Sequence, residues 1–115
     1  MIVVYAQQWG EKYRLLVEGH AGRDTEGSLV CAAVSALTGA LVEYAKSSPA
    51  CRYLRTTSDK GRVFLSCRMG LENAFEMTVG ALAQLAAAYP QHIACHSIAG
   101  QYADAGTRDA RAQNL

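Results

Sequence analysis

The sequence carries almost no net charge. Its 11 basic and 10 acidic residues leave a formal charge of +1 over 115 residues, so the chain as a whole does not attract polyanions strongly. The basic residues are dispersed along the sequence, and the aromatic residues do not interleave with them as a base-stacking surface requires. We therefore expect no direct contact with nucleic acid.

The sequence also lacks the closely spaced cysteine pairs of zinc sites. None of the four cysteines belongs to a Cys-x-x-Cys pair. A loose cluster of His92, Cys95 and His96 is better explained by surface histidines, so we expect no metal and no cofactor. The first residues, Met1 to Tyr5, lack the charged start and long apolar core of a secretory signal. The predicted location is the cytoplasm, where the thiols stay reduced.

No segment of the sequence reads as a membrane span. The most apolar stretch lies in the first predicted helix, and Ser35, Thr38 and Glu43 interrupt it. A membrane-spanning helix needs about 20 predominantly apolar residues. We therefore expect no membrane partner.

Hydrophobic periodicity predicts an α+β domain. Alternating apolar residues predict four strands, over residues 1–6, 12–18, 51–57 and 62–69. Repeats at helical spacing predict two helices, over residues 28–46 and 71–89. The order ββαββα predicts two layers, with both long helices on one side of a sheet and a possible short extra edge strand at the C-terminus. Residues 1–98 are predicted to form one domain, and residues 99–115 a disordered tail.

A histidine and a cysteine flank a short, glycine-bounded loop. His20 follows a predicted strand, and the loop over residues 22–27 lets the next helix fold back so that Cys31 can meet the imidazole. With Ser28 as the N-cap, Cys31 is the third helical residue, where unpaired N–H groups and the helix dipole favour a thiolate. His20 would act as base and acid, and the same N–H groups could form an oxyanion hole. Spacing alone leaves open that Cys31 is a packed core side chain.

The residues around this pair resemble a known motif. Gly19-His20-Ala21, followed by Val30-Cys31-Ala32-Ala33-Val34-Ser35-Ala36-Leu37, is similar to the signature of the ribosomal-processing cysteine protease family, Prp. The resemblance spans about residues 1–96. It implies that Cys31 is the nucleophile, His20 its partner and Ser35 the family serine. It also implies a homodimer formed through helices. The implied substrate is the N-terminal extension of bacterial large-subunit ribosomal protein twenty-seven.

The resemblance leaves several residue roles open. Where the family usually has an aspartate, this chain has Ser28, so Asp24 or Glu26 could orient His20 from the loop, or both could be solvated charges. The Ser35 hydroxyl could contact the thiol or substrate, or could bond back to the Cys31 carbonyl. The loop is either an ordinary mobile loop or a lid that orders over the peptide. A lid would have hinges at Gly22 and Gly27 and peptide contacts from Arg23, Asp24, Thr25 and Glu26.

Two other functions remain open besides processing of the ribosomal protein. The chain could be a peptide-binding module that kept the fold and lost efficient chemistry, because its loop is shorter than is usual in the family. It could also be a protease that processes a virus-derived structural precursor.

Overall fold

Five strands and two helices make up the computed structural model, which describes residues 1–100 and side chains through Ile98. In chain order they are β1 (Ile2–Trp9), β2 (Lys12–Gly19), α1 (Thr25–Ser47), β3 (Arg52–Asp59), β4 (Arg62–Arg68), α2 (Glu72–Ala88) and β5 (Ile93–Gly100). The predicted extra edge strand is present as β5 and has 8 residues. Of the predicted tail, residues 99 and 100 belong to β5, and residues 101–115 lie outside the described residues.

The sheet places the two hairpin turns at opposite ends. Its strand order is β3-β4-β2-β1-β5, with β5 parallel to β1 and all other neighbours antiparallel. In the β2–β4 pair, Glu18 lies opposite Arg62 and Lys12 lies opposite Arg68. The β3–β4 turn therefore lies beside the end of β2, next to His20, while the β1–β2 turn lies at the far end.

One face of the sheet carries the core. Tyr13, Leu15 and Val17 alternate with Arg14 and Glu18 along β2, and only the first set is buried. The helices bury their apolar stripes in the same cluster, through Val30, Val34, Leu41, Val42 and Ala45 of α1 and Phe75 and Leu82 of α2. Because both helices pack against each other and against this one face, the predicted α+β arrangement is confirmed. Within residues 1–100, no helix covers the opposite face of the sheet.

Helix α1 begins one turn earlier than predicted. Asp24, not Ser28, is the N-cap, and its carboxylate accepts a hydrogen bond from the Gly27 N–H at 2.9 Å. Gly27 is buried in the first turn, where only a glycine fits, because a Cβ there would collide with the Gly22 carbonyl oxygen. The predicted loop over 22–27 is therefore wrong in extent, since the connection between β2 and α1 covers only residues 20–24.

The 23-residue helix α1 is long and apolar enough to cross a membrane by length and composition. The prediction that it falls short of a span was therefore wrong, because Ser35, Thr38 and Glu43 interrupt it too sparsely. Thr38 is buried, and its hydroxyl donates to the Val34 carbonyl at 2.9 Å, which satisfies it without water. In the folded domain, one third of the most apolar 18-residue stretch of this helix is buried. The helix thus supplies core on one side and leaves the other side exposed.

Candidate active site

The end of β2 fixes where His20 begins. Gly19 has a φ of +100°, a conformation that favours glycine, and a Cβ there would collide with the Met1 carbonyl oxygen. The Gly19 N–H donates to the Gly61 carbonyl at 2.9 Å, which fastens the strand end to the β3–β4 turn. Gly19, predicted as a supporting residue, therefore positions the backbone from which the exposed His20 side chain projects.

The imidazole of His20 lies against the bare backbone of Gly61. A Cβ built on Gly61 would lie 2.7 Å from Nε2 and 3.1 Å from Cε1 of the ring. Gly61 has a φ of +78° as the second residue of the two-residue β3–β4 turn. The turn glycine therefore provides both a left-handed backbone and the space that the ring occupies.

Cys31 is the seventh residue of α1, not the third. It is half-buried and packs against the edge of the core cluster. Six helical steps of about 1.5 Å place it roughly 9 Å along the axis from Thr25. The unpaired N–H groups of the first turn therefore do not reach its sulfur. The prediction that they activate the thiol or form its oxyanion hole was wrong, because it depended on a helix start at Ser28.

His20 and Cys31 line one groove. It has a volume of about 580 Å³ and lies between α1 and the end of the sheet that carries the β3–β4 turn. Within residues 1–100, no hydrogen bond joins the imidazole to the thiol. The groove brings together an imidazole and a thiol from two elements that the sequence predicted to converge.

The two predicted serines differ in position. Ser35 is exposed and lines the groove one turn beyond Cys31. No hydrogen bond from its hydroxyl to the Cys31 carbonyl occurs in the described part of the chain, so the hydroxyl is free to meet a ligand in the groove. Ser28 is exposed within the first turn of α1 and lies outside the groove lining. Its predicted capping role belongs to Asp24.

The loop carboxylates are engaged away from His20. Asp24 caps α1, and the Glu26 carboxylate contacts the His92 ring, with 3.1 Å between Oε1 and Nε2. Neither carboxylate therefore orients His20, a role that the sequence left open for both. Thr25, Glu26 and Gly27 are helical, so Gly27 is not a hinge. Residues 22–28 do not line the groove that the described chain forms.

The β3–β4 turn supplies groove residues that sequence reasoning missed. Besides Gly61, they are Ser58, Asp59, Lys60 and Arg62, and α1 adds Glu43 and Lys46 from its later turns. The sequence Ser-Asp-Lys-Gly indicates a turn. It does not indicate which strand end the turn will face, because that depends on the pairing of β2 with β4. The groove therefore has charged walls of both signs around an apolar floor.

The other cysteines have packing roles. Burial raises the pKa of Cys67 to about 12, with help from the neighbouring Cys51 thiol and a hydrogen bond to it. Burial also raises the pKa of Cys95. A raised pKa keeps a thiol protonated and unreactive. Neither Cys67 nor Cys95 lines the groove.

The cluster of His92, Cys95 and His96 does not converge on a metal. His92 pairs with Glu26, while the His96 ring stacks on Tyr5 with centroids 5.4 Å apart. Among the described residues, no group of three or more His, Cys, Asp or Glu side chains could hold a metal ion.

A thiol and an imidazole in one groove of an α+β domain are the equipment of a thiol-dependent hydrolase. The model of the cysteine protease Prp family matches residues 1–94. This chain belongs to that family.

Solved structures share the fold. The SMU.848 protein of Streptococcus mutans superimposes with a TM-score of 0.65 at 20% identity, over 87% of this chain and 96% of that one. The essential ribosomal processing protease Prp from S. aureus, in complex with a substrate peptide, gives a TM-score of 0.68 at 19% identity, over 85% and 100%. The same protein with a covalently linked product peptide gives 0.68 at 21% identity, over 85% and 100%. No curated protein matches the sequence.

Proposed function

We propose that this chain is a cysteine endopeptidase that uses Cys31 as nucleophile and His20 as general base and acid. The observation that carries the proposal is that both side chains line one groove in a member of the cysteine protease Prp family. The proposed substrate is the N-terminal extension of large-subunit ribosomal protein twenty-seven. The S. aureus relative is a ribosomal processing protease that has been crystallised with a substrate peptide, which supports a ribosomal protein as substrate.

The mechanism follows from the two groups. His20 accepts the thiol proton, and the Cys31 sulfur attacks the carbonyl carbon of the scissile bond. The tetrahedral intermediate collapses as the imidazolium protonates the leaving amine, which leaves a thioester on Cys31. His20 then takes a proton from water, and the resulting hydroxide attacks the thioester. The C–S bond breaks to release the carboxylic acid product, and the imidazolium returns its proton to the Cys31 sulfur. The covalently linked product peptide on the S. aureus relative is consistent with covalent catalysis in the family.

The groove suits an extended peptide. Val17, Val34 and Val42 form an apolar floor, and charged side chains of the β3–β4 turn and α1 rim it. An apolar floor with a charged rim binds bulky side chains and leaves the peptide backbone near the rim. We propose that the Ser35 hydroxyl contacts the peptide beside the scissile bond, because it is exposed in the groove one turn from Cys31.

Incubation with the extended ribosomal protein tests the proposal. The parent protein should release the extension, whereas Cys31→Ala and His20→Ala should lower the rate by at least about 1,000-fold. Ser28→Ala, which changes an exposed helix residue outside the groove, is the matched control and should retain activity. Cleavage that survives either Cys31→Ala or His20→Ala contradicts the dyad. Binding of the extension without cleavage by the parent protein favours the peptide-binding module, and cleavage of a viral structural precursor alone favours that other substrate.

We also propose a cytoplasmic homodimer that associates through helix faces. The exposed side of α1 presents Leu29, which is 61% exposed, and Tyr44, which is 51% exposed, along a stripe that also contains Ala33, Ala36 and Ala40. An apolar stripe of this kind is typical of a helix interface. Leu29→Glu should convert a dimer into a monomer in light scattering. A parent protein that is already monomeric at micromolar concentration contradicts this part of the proposal.

A further inference from the structure

The open face of the sheet gathers basic side chains that the sequence scatters. Across β2, β4 and β3, Lys12 lies opposite Arg68, which lies opposite Arg52, and in the next row Arg14 and Arg55 flank Ser66. All five basic residues are exposed. They lie at the end of the sheet near the β1–β2 turn. The expectation of no nucleic-acid contact depended on the low net charge, on dispersed basic residues and on aromatic residues that do not interleave with them. Strand register removes the premise of dispersion.

A cleft runs through this basic region. Its volume is about 250 Å³, and four of the five basic residues line it, namely Lys12, Arg14, Arg55 and Arg68. Among residues 1–100, no acidic side chain lines the cleft and none of these cations forms an ion pair. Four unpaired cations at one cleft create a local positive potential that the net charge of +1 hides.

Two aromatic rings complete the cleft. Tyr53 is 77% exposed and has a φ of +55°, where the β3–β4 ladder shifts register between Arg52 and Arg55. A non-glycine residue in the left-handed region is strained, and a bulge commonly turns a side chain in a new direction. Trp9, half-buried, lines the same cleft from the end of β1. Basic side chains with exposed rings on a sheet are typical of surfaces that bind single-stranded nucleic acid.

We propose that this cleft, which we call the basic cleft, binds single-stranded RNA. The arginines and Lys12 would contact phosphates, and Tyr53 and Trp9 would stack on bases. An acidic protein segment or an anionic membrane would also use the cations, but a concave cleft of about 250 Å³ that is lined by cations and rings together suits nucleotides, which present phosphates and flat bases. The basic cleft lies on the sheet face away from the helices, whereas His20 and Cys31 line the catalytic groove, so this inference does not rest on the proposed protease activity.

Fluorescence anisotropy with a labelled oligouridylate of about ten nucleotides tests the proposal. The full chain is used, and it carries Cys31→Ala so that the proposed protease activity is absent from the assay. We expect Arg55→Gln and Arg68→Gln each to weaken binding several-fold and to reduce the slope of log affinity against log salt by about 0.7. Tyr53→Asn tolerates the left-handed backbone and removes the ring. It should weaken binding roughly ten-fold with an unchanged salt slope. Trp9→Leu is a second test of stacking at a different strand.

Arg23→Gln is the matched control, because it removes one exposed positive charge from a loop outside the basic cleft. It should leave affinity within about two-fold, as expected for a distant surface charge. The proposal is overturned if the parent protein does not bind the RNA, or if Arg23→Gln weakens binding as much as Arg55→Gln. It is also overturned if a poly-glutamate peptide or an anionic vesicle competes as well as unlabelled single strand, or if duplex RNA binds equally well.

Discussion

The two hairpin turns of the domain share a backbone conformation and differ in what surrounds it. Gly10 in the β1–β2 turn has a φ of +54°, and Gly61 in the β3–β4 turn has a φ of +78°. A Cβ on Gly10 would have no atom within 4 Å, whereas a Cβ on Gly61 would lie 2.7 Å from the His20 ring. The left-handed backbone alone explains Gly10. Gly61 is explained both by its left-handed backbone and by the space that the His20 ring occupies.

A second pair of glycines repeats the comparison within helices. Gly39 of α1 and Gly80 of α2 are both exposed, and a Cβ on either would meet nothing within 4 Å. Only Gly39 lines the groove that contains His20 and Cys31. The members of each pair share a backbone conformation, and only one of them lies at the groove or against His20. The paired substitutions separate loss of stability from loss of the site.

The largest difference is expected between Gly61→Ala and Gly10→Ala. Both variants should lose about 1 kcal/mol of stability, because each places a side chain in the left-handed region. Only Gly61→Ala displaces the His20 ring, and a misplaced catalytic group lowers the rate by roughly 100-fold. Peptide cleavage and chemical denaturation of both variants check this. Equal kcat/KM values for the two variants would show that the turn does not position His20.

A smaller difference is expected between Gly39→Leu and Gly80→Leu. Each replaces an exposed helical glycine with a better helix former, so each should stabilise the fold slightly. The leucine at 39 occupies part of the groove, so peptide cleavage should show KM raised roughly ten-fold, with little change in kcat if His20 and Cys31 are undisturbed. An unchanged KM for Gly39→Leu would mean that the peptide binds elsewhere.

A third prediction concerns alkaline pH. The pKa of the Cys67 thiol is near 9 in the unfolded chain, and burial raises it to about 12 in the folded one. Between pH 9 and pH 12, the folded state therefore keeps a proton that the unfolded state has released. The free energy of unfolding therefore falls as pH rises from about 9 to 12, by at most about 1.4 kcal/mol per pH unit. Cys67→Ala should lower stability at neutral pH and reduce this slope. Denaturation curves with the same slope in parent and variant would contradict the account.

Local sequence patterns predicted most of the fold. Period-two alternation in β2 and β4 and the apolar stripe of α2 predicted elements that the structure confirms, with boundaries shifted by at most one residue. The start of α1 was missed because Asp24 and Ser28 are both good N-caps and lie four residues apart. The buried Gly27, which lets the first turn pack against Gly22, decides between them, and no local pattern signals that contact.

The site was only partly predictable for a related reason. The convergence of His20 and Cys31 follows from a short connection between adjacent elements, so sequence spacing could anticipate it. The approach of Gly61 to His20 depends on β2 pairing with β4, which are separated by a helix and a strand. The same non-local register collects the arginines of the basic cleft. Contacts set by strand pairing therefore escaped the sequence, whereas the short connection allowed the convergence of His20 and Cys31 to be predicted, although not the start of α1.

The most direct test of the central claim is the rate at which iodoacetamide alkylates each cysteine near neutral pH, measured by mass spectrometry in the parent protein and in His20→Ala. Cys51 is half-buried like Cys31 and lies outside the catalytic groove, so it serves as the internal standard. The account predicts that Cys31 reacts fastest and that His20→Ala slows it at least about ten-fold while the Cys51 rate is unchanged. A Cys31 that reacts no faster than Cys51, at a rate indifferent to His20→Ala, would contradict it.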